Sequence, residues 1–383
     1  MLSTQNKISN ITFVGSGISA SFTLLNFLTL INKGPRLKKV LSINIIEKSS
    51  EFNTGIPYGT RSGSSTLLIT SLRNFLPEPE LSEFLVWLNK NKDWLIKEYK
   101  NEGGILSKKW LEIHSDAIQN NQWEDLFIPR RFFGHYINQM VEENVAHLTA
   151  KKIIEVNYIT GEVTNLKKED EIFNISLNNG NNFISEKVIL SVGSLPVNNL
   201  WQDKRLIEKD NLIFANTPYY PQLNKTLEKV RLFLKNRGDK TTNVLIIGAN
   251  ASALEMLYKL NDVSNSNDFV PNNFVFLSTQ GRAPDAVIDE KRRSEFLPVN
   301  LIKLQQENTL NAETIANATF KDISLSDDIN LGAASTVETI SKAFGGLLNK
   351  LTKPELEKFA CHFGNEIGKK QRCAGVHYSN TIK

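Results

Sequence analysis

The stretch Ile11 to Ala20, ITFVGSGISA, leaves few folds open to this chain. A short apolar run breaks into Gly15-Ser16-Gly17 and then into a helical pattern from Ser19 to about Asn32, so a strand must turn sharply into a helix. Gly15 permits the tight turn, Gly17 has no side chain to hold a pyrophosphate off the backbone, and Ala20 lets the helix lie close on the strand. The first N–H groups of the helix, from about Ile18 onward, then face the phosphates with the positive end of the macrodipole behind them. A lone G-x-G-x-x-A also occurs as an ordinary glycine turn, so its context matters. Here a basic loop, GPRLKK, leads into a second apolar run, Leu41 to Ile46, closed by Glu47. A carboxylate at that strand tip can accept the hydroxyl protons of a ribose. Glu47 comes later than the usual ~20 residues on, a difference the loop before the second run absorbs. A dinucleotide site is expected at this first turn.

At 383 residues the chain is long for one core, and about two domains are expected. Its 45 basic and 41 acidic residues leave a net charge of +4, too mild to imply a nucleic-acid or membrane-surface partner. Cys361 and Cys373 lack C-x-x-C or metal spacing, and the histidines form no H-x-x-x-H pair. A dithiol reductase and a structural zinc site are therefore disfavoured, and a reducing, cytoplasmic compartment is expected. The apolar run from Ile11 to Ile31 is interrupted by glycines, serines, threonines and Asn26, with no small-residue cleavage site after it. Neither a signal peptide nor a membrane span is expected there.

Residues 51–66, EFNTGIPYGTRSGSST, are punctuated by glycine and read as a loop. It is either a flexible surface loop or, through Pro57 and Tyr58, a wall against a flat ring system. A helical insertion follows over about 72–144, in which Phe84, Leu85, Trp87 and Leu88 read as packing. Within FIPRRFFGHY, Arg130 and Arg131 either clamp a phosphate or carboxylate or lay their stems on an apolar surface. From Ile153 the period changes to two, and Asn179-Gly180 marks a hairpin turn. A three-stranded meander is expected, followed by a fully buried strand, Val188 to Val192. It ends at Gly193, whose backbone would approach the cofactor.

The opening theme repeats at Asn243 to Leu257, NVLIIGANASALEML. Gly248 makes the turn, and Asn250 stands at the position of the second glycine, where it tolerates unusual backbone angles and can donate to a phosphate. A further strand, Asn273 to Leu277, is followed by STQGR with no carboxylate at its tip. A hydroxyl and Arg282 there suit a ribose 2'-phosphate, which favours NADPH over NADH, unless Arg282 is a solvated loop residue. The remainder is helical and shows no catalytic dyad. The chain is thus read as α/β, with two Rossmann-like dinucleotide-binding domains and a helical insertion and β-meander in the first. Residues 1–205 form that first domain, 206–345 the NAD(P)-binding domain, and 346–383 a helical tail returning toward the first.

FVGSGISA (13–20), GIPYGT (55–60), LLITS (67–71), FLVWL (84–88), IPRRFFGHY (128–136), ILSVGSLP (189–196) and IIGANASALE (246–255) together carry a family likeness. The chain resembles the bacterial FAD/NAD(P)-binding protein family that includes FAD-dependent urate hydroxylase-like proteins, flavin monooxygenase-like flavoproteins with two dinucleotide-binding domains. The resemblance covers most of residues 10–285. It implies FAD at the first turn, held by Gly15, Ser16, Gly17, Ile18, Ser19, Glu47 and Lys48, with the backbone of Val163 meeting the adenine and Gly193 near the cofactor. It implies NADPH or NADH at the second, held by Gly248, Asn250, Ala251, Ser252 and Arg282. The activity implied is that of an FAD-dependent NAD(P)H oxidoreductase, a monooxygenase that hydroxylates a small molecule with oxygen through an oxygenated flavin. A plain flavin reductase is the nearest alternative. A different class is a non-catalytic or regulatory FAD/NAD(P)-binding protein, or a subunit needing a partner to complete the flavin site; a homo-oligomer or a partner subunit is the association expected. Two departures stand out: Ile69 follows Leu67-Leu68 where relatives often carry asparagine, and a late Gly-Asp segment to lie against the flavin is not found before Lys383.

Overall fold

The structure is a computed structural model that describes residues 8–35, 37–194, 208–209, 211–237, 241–263, 271–279, 281, 283–286, 288–307 and 309–381. The chain divides into two compact units, one of Met1–Leu68, Leu72–Gly238 and Asp262–Phe269, the other of Ile69–Ser71, Asp239–Asn261 and Val270–Lys383.

The first unit begins with β1 (Ser9–Val14), α1 (Ile18–Lys33), β2 (Leu41–Glu47) and the single turn α2 (Gly55–Tyr58). The helical insertion comprises α3 (Glu80–Glu102), α4 (Ile105–Ile113), α5 (Ser115–Gln119) and α6 (Arg130–Ala150). Strands β3 (Ile154–Thr160), β4 (Val163–Glu169), β5 (Ile172–Leu177) and β6 (Asn182–Leu190) follow, then a small hairpin, β7 (Glu208–Lys209) and β8 (Leu212–Ile213), and α7 (Leu223–Arg237). Six strands form one sheet in the order β3-β2-β1-β6-β5-β4. The four from β3 to β6 run parallel, while β5 pairs antiparallel with both β6 and β4.

The central strands are buried because both of their faces are covered, which is why β2 reads as a nearly unbroken apolar run. Helix α1 buries Ala20, Leu24 and Leu28, one stripe at four-residue spacing, and packs beside α6. The insertion is held by a cluster of rings in which Phe133 lies 4.9 Å from Phe75 and 5.4 Å from both Phe84 and Tyr58. Phe84, Trp87 and Leu88 are buried there, so these apolar positions are packing. A later segment also enters this unit. The buried carboxylate of Asp262 accepts hydrogen bonds from the N–H groups of Leu106 and Ser107 and from the Ser107 hydroxyl, closing the start of α4.

The meander differs from the expectation. The segment from Ile154 belongs to the parallel layer as β3, and the meander is β4-β5-β6, with the tight turn at Gly180 (φ +86°) between β5 and β6. Among the described residues no separate buried strand follows. Val188 to Leu190 is the end of β6 itself, and Leu190 and Val192 are each 60% exposed. The small core beneath the meander, built on Ile46, Ile175 and Leu177, reaches Val188 and stops there.

The second unit holds β9 (Asn243–Ile247), α8 (Ala251–Asn261) and β10 (Asn273–Leu277), a single βαβ element whose strands pair in parallel. Helices α9 (Glu290–Glu295), α10 (Val299–Leu304), α11 (Ala312–Asp328), α12 (Gly332–Leu348), α13 (Lys353–Phe359), α14 (Asn365–Lys370) and α15 (Val376–Ser379) complete it. Leu301, Ile315, Ala316 and Ile340 form the heart of a helical core. The fully buried carboxylate of Asp322 accepts from the N–H groups of Asn300 and Leu301, satisfying the orphan donors at the start of α10. The C-terminal segment, expected to return toward the first domain, makes contacts inside this unit. There α13 and α14 pack on α11, and Tyr378 of α15 meets Tyr258 of α8 at 5.4 Å.

Among the described residues no helix is long and apolar enough to cross a membrane. The two cysteines sit in unlike surroundings. Cys361 is exposed, whereas burial, with the Asp285 charge adding to it, pushes the Cys373 thiol up to about 11. Near pH 8 Cys373 would then be thiolate to only about one part in a thousand, far below an unperturbed thiol. Iodoacetamide at pH 8, read by peptide mass spectrometry, is expected to modify Cys361 and spare Cys373 until the chain is unfolded.

Candidate functional site

The first turn sits where β1 ends between β2 and β6. Gly15 adopts φ +90°, and its N–H donates to the Ile46 carbonyl at 2.8 Å, tying the turn to β2. On the other side the Ser191 N–H donates to the Val14 carbonyl at 2.8 Å. A Cβ on Gly15 would lie 2.2 Å from the Ser191 carbonyl oxygen, so the chain leaving β6 closes over this position and only glycine fits.

Gly17 is the N-cap of α1, and no side chain caps the helix. No acidic residue occupies the first turn, and the exposed Ser19 side chain leaves its hydroxyl available. Ile18 opens the helix with its N–H groups directed out of the turn. Gly55, at φ +64°, brings its own backbone against this edge, since a Cβ built on it would meet the Gly17 Cα at 3.1 Å. The loop that follows β2 thus borders the turn through two side-chain-free residues.

Ser16 points inward. Its N–H and hydroxyl both donate to Glu47 Oε2, at 2.9 and 3.1 Å, and its hydroxyl accepts the Asn53 N–H. Glu47 Oε1 accepts the Ser49 N–H at 3.3 Å, which leaves one lone pair of Oε1 for a further donor. Lys48 is exposed just beyond. The Glu47 carbonyl accepts the Gly161 N–H at 2.9 Å, so the connection from β3 to β4 and its first strand residue, Val163, come to the same end of the sheet. Gly193, exposed at φ +71°, lies three residues past β6 at that end. The residues of the first turn, Glu47, Val163 and Gly193 are therefore gathered at the carboxyl ends of β1, β2, β3 and β6.

Arg131 is about nine-tenths buried and binds within the protein, pairing through Nη1 with Glu51 and donating to the Tyr58 carbonyl at 3.2 Å. Glu51 in turn accepts the N–H and hydroxyl of Thr60. Arg130 donates to the Ser62 hydroxyl at 3.4 Å. Both arginines thus pin the loop of residues 51–62. Tyr58 is turned into the aromatic cluster rather than toward open space, and burial raises its hydroxyl pKa despite the Arg130 charge. Beside this loop lies a polar cavity of about 340 Å³, lined among others by Glu51, Asn53, Thr54, Arg131, His135 and Tyr158.

In the second unit Gly248 takes φ +108° and donates its N–H to the Leu277 carbonyl at 2.7 Å, the same strand-tip tie that Gly15 makes. Nothing lies within 4 Å of the space above its Cα. Ala251 opens α8, Ser252 is exposed, and the Asn250 side chain accepts a hydrogen bond from Arg372. Ser278 at the tip of β10 accepts the Gly281 N–H, while Arg282 lies outside the described residues. Sequence reasoning missed Gly55, Asn53 and Arg372. The GIPYGT glycine was a usable signal for the first, but nothing in the local sequence linked Arg372 to a turn 122 residues earlier.

Among the described residues no group of three His, Cys, Asp or Glu side chains is placed to hold a metal. An uncapped helix start, a turn open to the backbone and a carboxylate with one spare acceptor position fit a dinucleotide at the first turn.

Residues 12–195 match the model of a family described as FAD-NAD(P)-binding. The chain is 27% identical over 380 residues to uncharacterized proteins of Mycobacterium bovis and Mycobacterium tuberculosis, a match covering 96% of this chain and 68% of theirs. Among solved structures it is similar to a cyclohexanone monooxygenase mutant from Rhodococcus sp. Phi1 bound to NADP+, 12% identical with a TM-score of 0.36. That likeness covers 73% of this chain and spans 40% of the monooxygenase. It is also similar to the cadaverine monooxygenase of Erwinia amylovora bound to FAD, 15% identical with a TM-score of 0.41, over 92% of this chain and 67% of that one.

Proposed function

We propose that this chain, whose residues 12–195 match the model of the FAD-NAD(P)-binding family, is an FAD-dependent oxidoreductase that draws electrons from NADPH. We assign it as a monooxygenase that hydroxylates a small molecule with oxygen. The observation that carries this reading is the uncapped start of α1 behind a glycine turn, with the Glu47 carboxylate on the adjoining strand tip. Bound FAD supplies the redox chemistry, accepting a hydride and activating oxygen. The protein's own part is to bind and orient. The N–H groups at Ile18 and Ser19 hold the diphosphate, the Glu47 carboxylate accepts a ribose hydroxyl through Oε1, and the backbone at Val163 meets the adenine. Ser16 and Lys48 support this tip, the first by fixing Glu47 and the second by its charge. Gly248, Asn250, Ala251 and Ser252 take the nicotinamide cofactor. The β10 tip has serine and threonine where a carboxylate would exclude a 2'-phosphate, which favours NADPH.

The test is the absorbance spectrum of the purified protein, followed by addition of NADPH without oxygen. A flavin spectrum that NADPH bleaches is expected. No flavin retention after added FAD would sink the reading, and bound FAD that NADPH cannot bleach would return the non-catalytic alternative. A Glu47→Ala variant is expected to weaken FAD binding by roughly tenfold to a hundredfold, from the loss of a charge-assisted hydrogen bond to the ribose. Quenching of FAD fluorescence on binding measures it, and unchanged affinity would remove Glu47 from the site.

A further inference from the structure

We propose that Arg372 is a diphosphate-binding residue of the second turn, a positive charge brought from the C-terminal segment to a motif that contains none. The proposal rests on reading that turn as the nicotinamide-cofactor site. In the sequence GANASA the second glycine is replaced by Asn250, so the side chain stands where a diphosphate would approach the backbone. That side chain is held by Arg372, whose Nη1 donates to Asn250 Oδ1 at 2.6 Å. Among the described residues this is the only partner of the Arg372 side chain, and the residue is exposed. The remaining N–H donors of its planar fork are left for ligand oxygens, and a guanidinium binds phosphate oxygens in pairs.

The arginine is also held in place from behind. The Asp285 N–H donates to the Arg372 carbonyl at 3.1 Å, and the Ala374 N–H donates to the Asp285 carbonyl at 2.9 Å, a parallel bridge that pairs Asp285 with Cys373 and ties down the Arg372 backbone through its carbonyl. The Asp285 carboxylate accepts the Ala334 N–H at 2.9 Å, which fixes this bridge to the start of α12. Gln371, next in the chain, is about nine-tenths buried. A side chain on so constrained a backbone loses less freedom on binding a ligand than one on a loose tail. Because Arg372 meets Asn250 and not the β10 tip, its partner is the diphosphate, which NADP+ and NAD+ share, and not the 2'-phosphate.

The experiment is calorimetric titration of NADP+ and NAD+ into the FAD-supplied protein and its Arg372→Gln and Arg372→Lys variants, with thermal melts alongside. Glutamine keeps a donor for Asn250 and removes the charge. Arg372→Gln is expected to weaken both nucleotides about tenfold or more, with an unchanged melting temperature and unchanged FAD content, and Arg372→Lys is expected to recover part of the loss. Equal affinities in wild type and Arg372→Gln would overturn the assignment, and so would a loss confined to NADP+. A wild-type protein that binds FAD but neither nucleotide would overturn the reading of the second turn and this inference with it.

Discussion

A Gly15→Ala protein is expected to lose the first turn altogether, while Gly17→Ala keeps the fold and loses the dinucleotide. The two glycines stand two residues apart and fail for different reasons. Alanine at Gly15 must hold φ +90°, which costs about 1–2 kcal/mol by itself. Its Cβ would also stand 2.2 Å from the Ser191 carbonyl oxygen and 2.8 Å from the carbonyl carbon. Those are backbone atoms of the chain leaving β6, so relief requires parting β1 from a neighbour. A destabilisation of roughly 3 kcal/mol or more is expected from strain and overpacking together. Gly17 has φ −70°, open to any residue, and its Cβ would make ordinary contact with the Gly55 Cα at 3.6 Å. The melt of Gly17→Ala should stay within about 1 kcal/mol of wild type, the scale of an N-cap change, but the added methyl occupies the approach of the diphosphate. Urea melts and FAD retention on both variants decide the matter. A stable Gly17→Ala protein that retains FAD at wild-type affinity would show that the dinucleotide does not lie over this turn.

The second large effect is at Gly134, where two rules predict opposite signs. In an exposed helix, glycine to alanine stabilises by about 0.5–1 kcal/mol. Within α6, however, the new Cβ would stand 2.0 Å from the Tyr58 carbonyl oxygen and 2.9 Å from its carbon. The same carbonyl accepts a hydrogen bond from Arg131. Moving it aside frees Arg131 from one partner and shifts the segment whose Gly55 abuts Gly17. Overpacking wins, and Gly134→Ala is expected to destabilise the first unit by about 2–3 kcal/mol. Loss of FAD affinity should accompany it through the displaced loop. An increase in stability would mean that α2 and α6 are not packed backbone to backbone.

The elements with a strong local signature were legible in the sequence. ITFVGSGISA specified strand, turn and helix because the apolar run, the glycines and the helical stripe of Ala20, Leu24 and Leu28 all agree locally. The tip carboxylate and the repeated turn at Gly248 followed from the same logic. What went astray depended on partners distant in the chain. Val188 to Val192 is apolar and reads as a buried strand, yet whether it is covered depends on how far the meander reaches, which no periodicity encodes. Arg130 and Arg131 were equally compatible with a ligand clamp and with packing, and only the position of Glu51, Tyr58 and Ser62 assigned them to the loop.

The sequence by itself therefore determined the α/β class, both glycine turns and the chemistry each could offer, because these rest on backbone conformations and short-range patterns. Tertiary structure alone decided which groups meet: Gly55 against Gly17, Gly161 on Glu47, Asp262 on α4 and Arg372 on Asn250. The physical reason is that a hydrogen bond or a backbone contact between residues far apart in the chain leaves no trace in either one's neighbourhood. It is set by the register and curvature of the elements that carry them.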